Sequence, residues 1–189
     1  PEESLEGMQA DISQMDAIVG QFLDYARLGA HVSSETVDVS SLLHMIVEEA
    51  RRRPGLAVSA EIGEGLSISA REIDIRRLVN NVLTNAERYG KTPGKDLAEV
   101  DMVCRREGDE VAIVFSDRGI GVPDEDLERM LRPFTRMDNA RGQANGSGLG
   151  LAIVSRIAQR YRGHVRLANR PDGGLVVSVW FPAAKSTKK

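Results

Sequence analysis

The sequence predicts an α/β fold: a mixed sheet with helices on one face, preceded by a long coiled-coil-like helix. Three observations carry this. Residues 1 to 28 hold an unbroken heptad series, short strand patterns recur with turn residues between them, and three amphipathic helical patterns are interleaved among the strands. Only 4% of the 189 residues are aromatic against 41% hydrophobic, so Leu, Val, Ile, Ala and Met must fill the core.

The heptad positions are Leu5, Met8, Ile12, Met15, Val19, Phe22 and Ala26, in alternating steps of three and four. Polar residues lie between them, so a narrow apolar seam faces a partner helix, either in a second chain or in a preceding segment. Docking on the downstream domain is the alternative. Gly29 to Asp38 is polar and turn-like and reads as a linker. Ser40 or Ser41 can cap the next helix, whose apolar face is Leu42, Leu43, Ile46, Val47 and Ala50. It ends in Arg51-Arg52-Arg53, where the helix dipole favours cations and solvent takes the charges.

Strand patterns follow at Ala57–Ile62 and Leu66–Ser69, separated by Gly63-Glu64-Gly65. A long helix from about Arg71 to Tyr89 turns Ile75, Leu78, Val79, Val82, Leu83 and Ala86 inward. Glu99–Arg106 and Glu110–Ser116 read as a hairpin around Glu107-Gly108-Asp109. The glycine-rich stretch from Asp117 to Gly150 is too long for an ordinary connection. A helix from about Leu149 to Tyr161 stops at Gly163 as its C-cap. Strands His164–Asn169 and Leu175–Phe181 close the domain, and Lys185–Lys189 is a frayed tail.

The charge balance narrows the function. Lys and Arg number 25 against 28 Asp and Glu, giving −3, which argues against a nucleic-acid binder. Cys104 is the single cysteine, so an internal disulfide and a Cys-rich zinc module are excluded. No apolar run reaches the ~20 residues needed to span a bilayer. A reducing cytosol is the expected setting, and the start at Pro1 without Met suggests a piece of a longer chain.

Four short segments concentrate the chemistry. In the first, Asn81, Asn85 and Tyr89 recur at four-residue spacing and share one helix edge. An amide oxygen is a hard ligand suited to magnesium; a solvent-facing polar stripe fits the spacing equally well. The second is Asp117-Arg118-Gly119-Ile120-Gly121-Val122-Pro123, directly after a strand. Its carboxylate could accept from an exocyclic amine such as that of adenine, and its glycines could admit a flat ring, although a tight turn has the same composition. The third, Leu131 to Arg136, sets Phe134 between cations. The fourth, Gly146-Ser147-Gly148-Leu149-Gly150-Leu151, opens a helix, where free N–H groups make an anion site. Neither a Rossmann fingerprint nor a Walker phosphate loop is present.

In this order and spacing the four segments resemble the N, G1, F and G2 boxes of the sensor histidine kinases, within the wider GHKL superfamily of ATP-binding domains. Asp11 to Ile18 is similar to the second dimerisation helix of EnvZ-type osmosensor kinases. The resemblance implies a two-layer α/β sandwich (Bergerat type). It divides the chain into a partial dimerisation helix at 1–30, a linker at 31–38, the catalytic ATP-binding domain at 39–184 and a tail at 185–189. By the same resemblance Asn85 coordinates Mg2+, with Asn81 its companion, Arg88 faces phosphate and Tyr89 packs near adenine. Asp117 reads adenine, with Gly119 and Gly121 shaping the pocket. Phe134 and Arg136 match the F box, its arginine meeting the γ-phosphate. Gly146, Gly148 and Gly150, with Leu149 and Leu151, form the G2 hinge of a nucleotide lid at about Asp138 to Asn145.

The implied activity is transfer of the γ-phosphoryl of Mg-ATP to a histidine, for relay to an aspartate on a response regulator. The implied setting is a homodimer through helix 1–28, in the cytoplasmic portion of an inner-membrane sensor, with no nucleic acid and no membrane contact by this segment. The chain departs from the family in its histidines: His31, His44 and His164 all lack the acceptor setting, so the acceptor is expected on a helix upstream. It departs again at Tyr161-Arg162-Gly163, where the family often has His before a glycine pair. Two other readings compete. Hydrolytic relatives of the gyrase, chaperone and mismatch-repair kind have a glutamate where this chain has Asn81, and an amide is no general base. A non-catalytic docking module would have no need of Asn85, Asp117 and the G2 glycines together.

Overall fold

The computed structural model describes Val19, Gly20, Leu23 and residues 35–135 and 147–184. Val19, Gly20 and Leu23 are helical. The rest of the heptad seam, His31 and the 185–189 tail lie outside the described residues.

The described chain runs β1 (Glu35–Asp38), α1 (Val39–Ala50), β2 (Leu56–Ile62), β3 (Ser67–Ala70), α2 (Glu72–Tyr89), β4 (Ala98–Glu107), β5 (Glu110–Asp117), α3 (Gly150–Arg160), β6 (His164–Asn169) and β7 (Leu175–Pro182). Short 3-10 turns at Asp124–Asp126 and Arg129–Leu131 punctuate the long loop. A five-stranded sheet has the order β2-β4-β5-β7-β6. Its β2–β4 pair is parallel and the other pairs are antiparallel, so the sheet is mixed, as expected. Alternation along β4 and β7 sends Val100, Met102, Cys104, Val177, Val179 and Phe181 into one core with the inner faces of the helices. All six apolar positions expected on α2 are buried. Each such side chain contributes about 1.5–3 kcal/mol when removed from water. Burial also pushes the Cys104 thiol up to about 12, so it stays protonated and serves as packing.

Four expectations are corrected. The segment read as linker ends in a strand: β1 pairs antiparallel with β3, setting Val37 opposite Ile68, and Val37 is buried. Four polar-looking residues with one inward side chain give too short a pattern to register as a strand. Second, neither Ser40 nor Ser41 caps α1; Ser40 instead braces the connection between β2 and β3, which belong to different sheets. The Ser40 hydroxyl fixes the link between them, donating to Gly63 O (2.6 Å) and accepting from Leu66 N (3.0 Å). The cap is Asp38, accepting from Ser41 N at 3.0 Å. Third, the arginine run is not merely solvated. Arg51 donates to Val58 O (3.2 Å) and Arg53 to Asn80 Oδ1 (2.8 Å), tying α1 to β2 and α2. Fourth, Arg162 and not Gly163 takes the left-handed position after α3 (φ 59°). Gly163 is required by space instead, since a Cβ there would lie 2.1 Å from Trp180 O.

Candidate functional site

The C-terminal half of α2, the end of β5, the start of α3 and the β6–β7 turn converge at one end of the sheet's strands. On α2, the Asn81 amide donates to Arg77 O at 2.8 Å. Its oxygen is left facing α3, 3.5 Å from where a Cβ on Gly150 would stand. Asn85 is half-buried on the same edge, and its amide has no hydrogen-bond partner among the described residues. Arg88 and Tyr89 follow, both exposed.

Asp117 sits buried at the end of β5. Its Oδ1 accepts two backbone bonds, from Gly119 N (2.9 Å) and Leu175 N (3.0 Å). One oxygen is thus used to hold the carboxylate in place, and Oδ2 has no hydrogen-bond partner among the described residues. Three glycine backbones crowd this residue. A Cβ on Gly90 would fall 2.7 Å from Asp117 Cγ, one on Gly119 2.8 Å from Gly90 Cα, and one on Gly174 2.1 Å from Asp117 O. Gly119 was expected in the site from its motif. Gly90, Gly174 and Leu175 were not, although the Gly173-Gly174 pair is richer in glycine than a hairpin needs.

Asn169 was also missed. Its Oδ1 accepts from Val122 N (3.0 Å), and its Nδ2 donates to Val122 O (2.6 Å) and Asp124 Oδ1 (2.7 Å). The amide clamps the loop after Asp117 as a neighbouring strand would. Gly121 (φ 73°) leaves room for it, because a Cβ there would meet Asn169 Oδ1 at 2.8 Å. Asn169→Ala is expected to lower stability by about 1–3 kcal/mol, the cost of orphaned backbone groups. It should also raise hydrogen exchange at the Val122 amide, and unchanged exchange there would remove the clamp.

The third and fourth segments meet through backbone. Phe134 N donates to Gly148 O (3.0 Å), with Phe134 in the left-handed region (φ 62°) and its ring exposed. Gly148 (φ 69°) passes so close that a Cβ would stand 2.7 Å from Thr135 O. Leu149 and Leu151 are buried, and their side chains anchor the start of α3 in the core. Leu149 N is itself taken by Ser147 Oγ at 3.2 Å. The first-turn N–H groups of α3 remain as an anion site. Arg136, Gly146 and the lid at 138–145 lie outside the described residues. His44 and His164 are exposed and remote from this convergence; His164 stacks on Trp180 (4.7 Å).

A mixed sheet under one layer of helices, with a fixed carboxylate among crowding glycines and a glycine-led helix start, defines an α/β-sandwich domain of the ATPase type. Residues 70–185, more than half of the chain, match the profile of the "Histidine kinase-, DNA gyrase B-, and HSP90-like ATPase" family, and the chain belongs to that family. Within it the similarity runs to sensor histidine kinases. The sensor histidine kinase CpxA of Escherichia coli (strain K12) is 30% identical over 97% of this chain, which spans 40% of that relative. The structure of full-length ShkA in complex with AMPPNP has a TM-score of 0.80 at 24% identity, covering 99% of this chain and 40% of that one. The histidine kinase domain of the E. coli osmosensor EnvZ has a TM-score of 0.61 at 26% identity, covering 85% of this chain and 96% of that one. The likeness to CpxA as well as EnvZ does not single out the EnvZ-type subfamily.

Proposed function

We propose that this chain binds Mg-ATP and passes the γ-phosphoryl to a histidine on a dimerisation helix, from which a response-regulator aspartate receives it. The observation that carries the nucleotide reading is Asp117, beside three crowding glycines, with Oδ1 held by two backbone donors and Oδ2 without a partner among the described residues. That oxygen is an acceptor for the exocyclic amine of adenine. The similarity to ShkA, whose structure is a complex with AMPPNP, supports ATP as the nucleotide.

Magnesium fits the residues present. Among the described residues no group of three His, Cys, Asp or Glu could hold a metal, and magnesium needs few protein ligands when phosphates and waters complete its shell. The Asn85 amide, without a partner among the described residues, would hold it, and the ion would supply charge neutralisation on the phosphates. Arg88 and Arg136 add cationic charge toward the phosphates, and the α3 N-terminus orients them. Asn81 cannot take a proton from water, and its Nδ2 is tied to Arg77 O, which favours transfer over hydrolysis. We place the chain in the cytoplasmic part of a membrane sensor that dimerises through residues 1–28; among the described residues no helix is long and apolar enough to cross a membrane.

The test is radiolabel transfer from γ-labelled ATP. The chain alone is expected to bind ATP and turn it over very slowly. Adding a dimerisation domain with its histidine should yield an acid-labile, base-stable phosphohistidine on that domain. Rapid steady hydrolysis by the chain alone, or label at His31, His44 or His164, would overturn the kinase reading.

A further inference from the structure

At the far end of the α2–α3 pair lies a buried ionic cluster that the proposed chemistry does not use. Asp74, in the first turn of α2, is fully buried. Arg71 grips both carboxylate oxygens, Nε to Oδ2 and Nη2 to Oδ1, each at 2.9 Å. The Tyr161 hydroxyl donates to Asp74 Oδ2 and accepts from Arg71 N at 3.3 Å. Burial first, then the neighbouring Asp74 carboxylate, hold the phenol above its ordinary pKa, so it stays a donor. Tyr161 is the C-cap residue of α3. The two helices therefore run antiparallel and pack along their length, with polar groups facing across at two places: Asp74 with Tyr161 towards one end, Asn81 with Gly150 towards the other.

From Gly150 to Tyr161 an α-helix spans about 16 Å and is stiff along its axis. Fixing one end in the axial direction fixes the other. The buried aliphatic side chains of α3, Ile153, Val154 and Ile157, hold it in the core, but such contacts are non-directional and fix its axial position less sharply than a hydrogen bond does. The Tyr161 hydroxyl, held between Asp74 Oδ2 and Arg71 N, is directional and does, and the Arg71 fork within α2 holds that carboxylate in place for it. Stability alone is a poor reason to bury this cluster, because a well-packed apolar substitute of similar volume is often as stable.

We infer that the Arg71–Asp74–Tyr161 cluster is a register pin, in which Tyr161 is a positioning residue setting where the first-turn N–H groups of α3 stand relative to Asn81 and Asn85. The pin rests on the nucleotide reading above for its functional meaning, and its geometric content is separable from it.

Tyr161→Phe removes the hydroxyl and keeps the ring. In the nucleotide-free chain, amide NMR is expected to show shifts at Gly150, Leu151 and the Asn81 side-chain NH2, with Gly119 and Leu175 unmoved. In titrations Mg-ATP should bind about fivefold more weakly, the equivalent of one net hydrogen bond, while adenosine affinity stays unchanged. Arg71→Lys, which replaces the fork by a point charge, should repeat the pattern. Shifts confined to the neighbours of Tyr161 and Asp74, or parallel loss of ATP and adenosine binding, would overturn the pin. If the unaltered chain binds neither nucleotide, the proposed function fails, and the NMR comparison still decides the pin.

Discussion

Gly174→Ala is expected to lower the thermal midpoint by about 10 °C. Two costs combine. Gly174 has φ 107°, beyond the left-handed well that L residues tolerate, and a Cβ would stand 2.1 Å from Asp117 O. No rotamer relieves that contact, because the backbone fixes where the Cβ stands and the atom it meets is a backbone carbonyl oxygen. The β6–β7 turn must move away from the end of β5, which breaks the Leu175 N bond to Asp117 Oδ1 and unseats the Arg170 bond to Asp117 O. A backbone outlier of ~1–3 kcal/mol plus an orphaned buried group of similar size gives a loss of about 2–6 kcal/mol. At this chain length each ~1 kcal/mol moves the midpoint by about 2–4 °C. Gly65→Ala is the control. Gly65 also has positive φ (66°), but no atom lies within 4 Å of its added Cβ, so it should cost only the ~1–2 kcal/mol of a left-handed L residue. Circular dichroism melts of the two variants decide the matter. Equal shifts would mean that the close approach at Gly174 carries no weight.

That glycine marks the boundary of what the sequence could disclose. The α2 seam was legible because a 3.6-residue period of Leu, Val and Ile admits little else, and the β4–β5 hairpin because Glu107-Gly108-Asp109 separates two alternating runs. The four motifs were legible because chemistry restricts residue type locally: Asp117 and Gly119 stand two apart and are bonded to each other. Gly90 and Gly174 were not, because each is required by a backbone that arrives from a distant part of the chain. Asn169 read as a turn residue before Arg170-Pro171, and only the fold brings Val122, 47 positions away, to its amide. The partner of β2 was hidden for the same reason. Its parallel pairing with β4 crosses over β3 and α2, and nothing in either strand encodes so distant a neighbour. Even Gly163, whose place after the helix was anticipated, is glycine because of Trp180 O and not for its own dihedral angle.

Asp117→Asn should weaken adenosine and ATP binding alike, by about 1.5–3 kcal/mol, the usual worth of a hydrogen bond to a charged group. The structure fixes how the substituted amide must sit. Gly119 N and Leu175 N both point at the Oδ1 position, so the asparagine keeps its oxygen there and avoids leaving two buried donors without partners. Its NH2 then occupies the Oδ2 position and presents a donor to the exocyclic amine of the base, itself a donor. The site is inverted without being dismantled, and the midpoint without nucleotide should fall by no more than about 4 °C. Asn85→Ala separates the two ends of the ligand. The Asn85 amide supports no other described residue, so its loss should leave adenosine binding intact and abolish the magnesium-dependent gain in ATP affinity. Isothermal titration of adenosine, and of ATP with and without magnesium, reads both variants. Parental adenosine affinity in Asp117→Asn would take Asp117 out of the base site, and a magnesium gain surviving in Asn85→Ala would move the metal to another ligand.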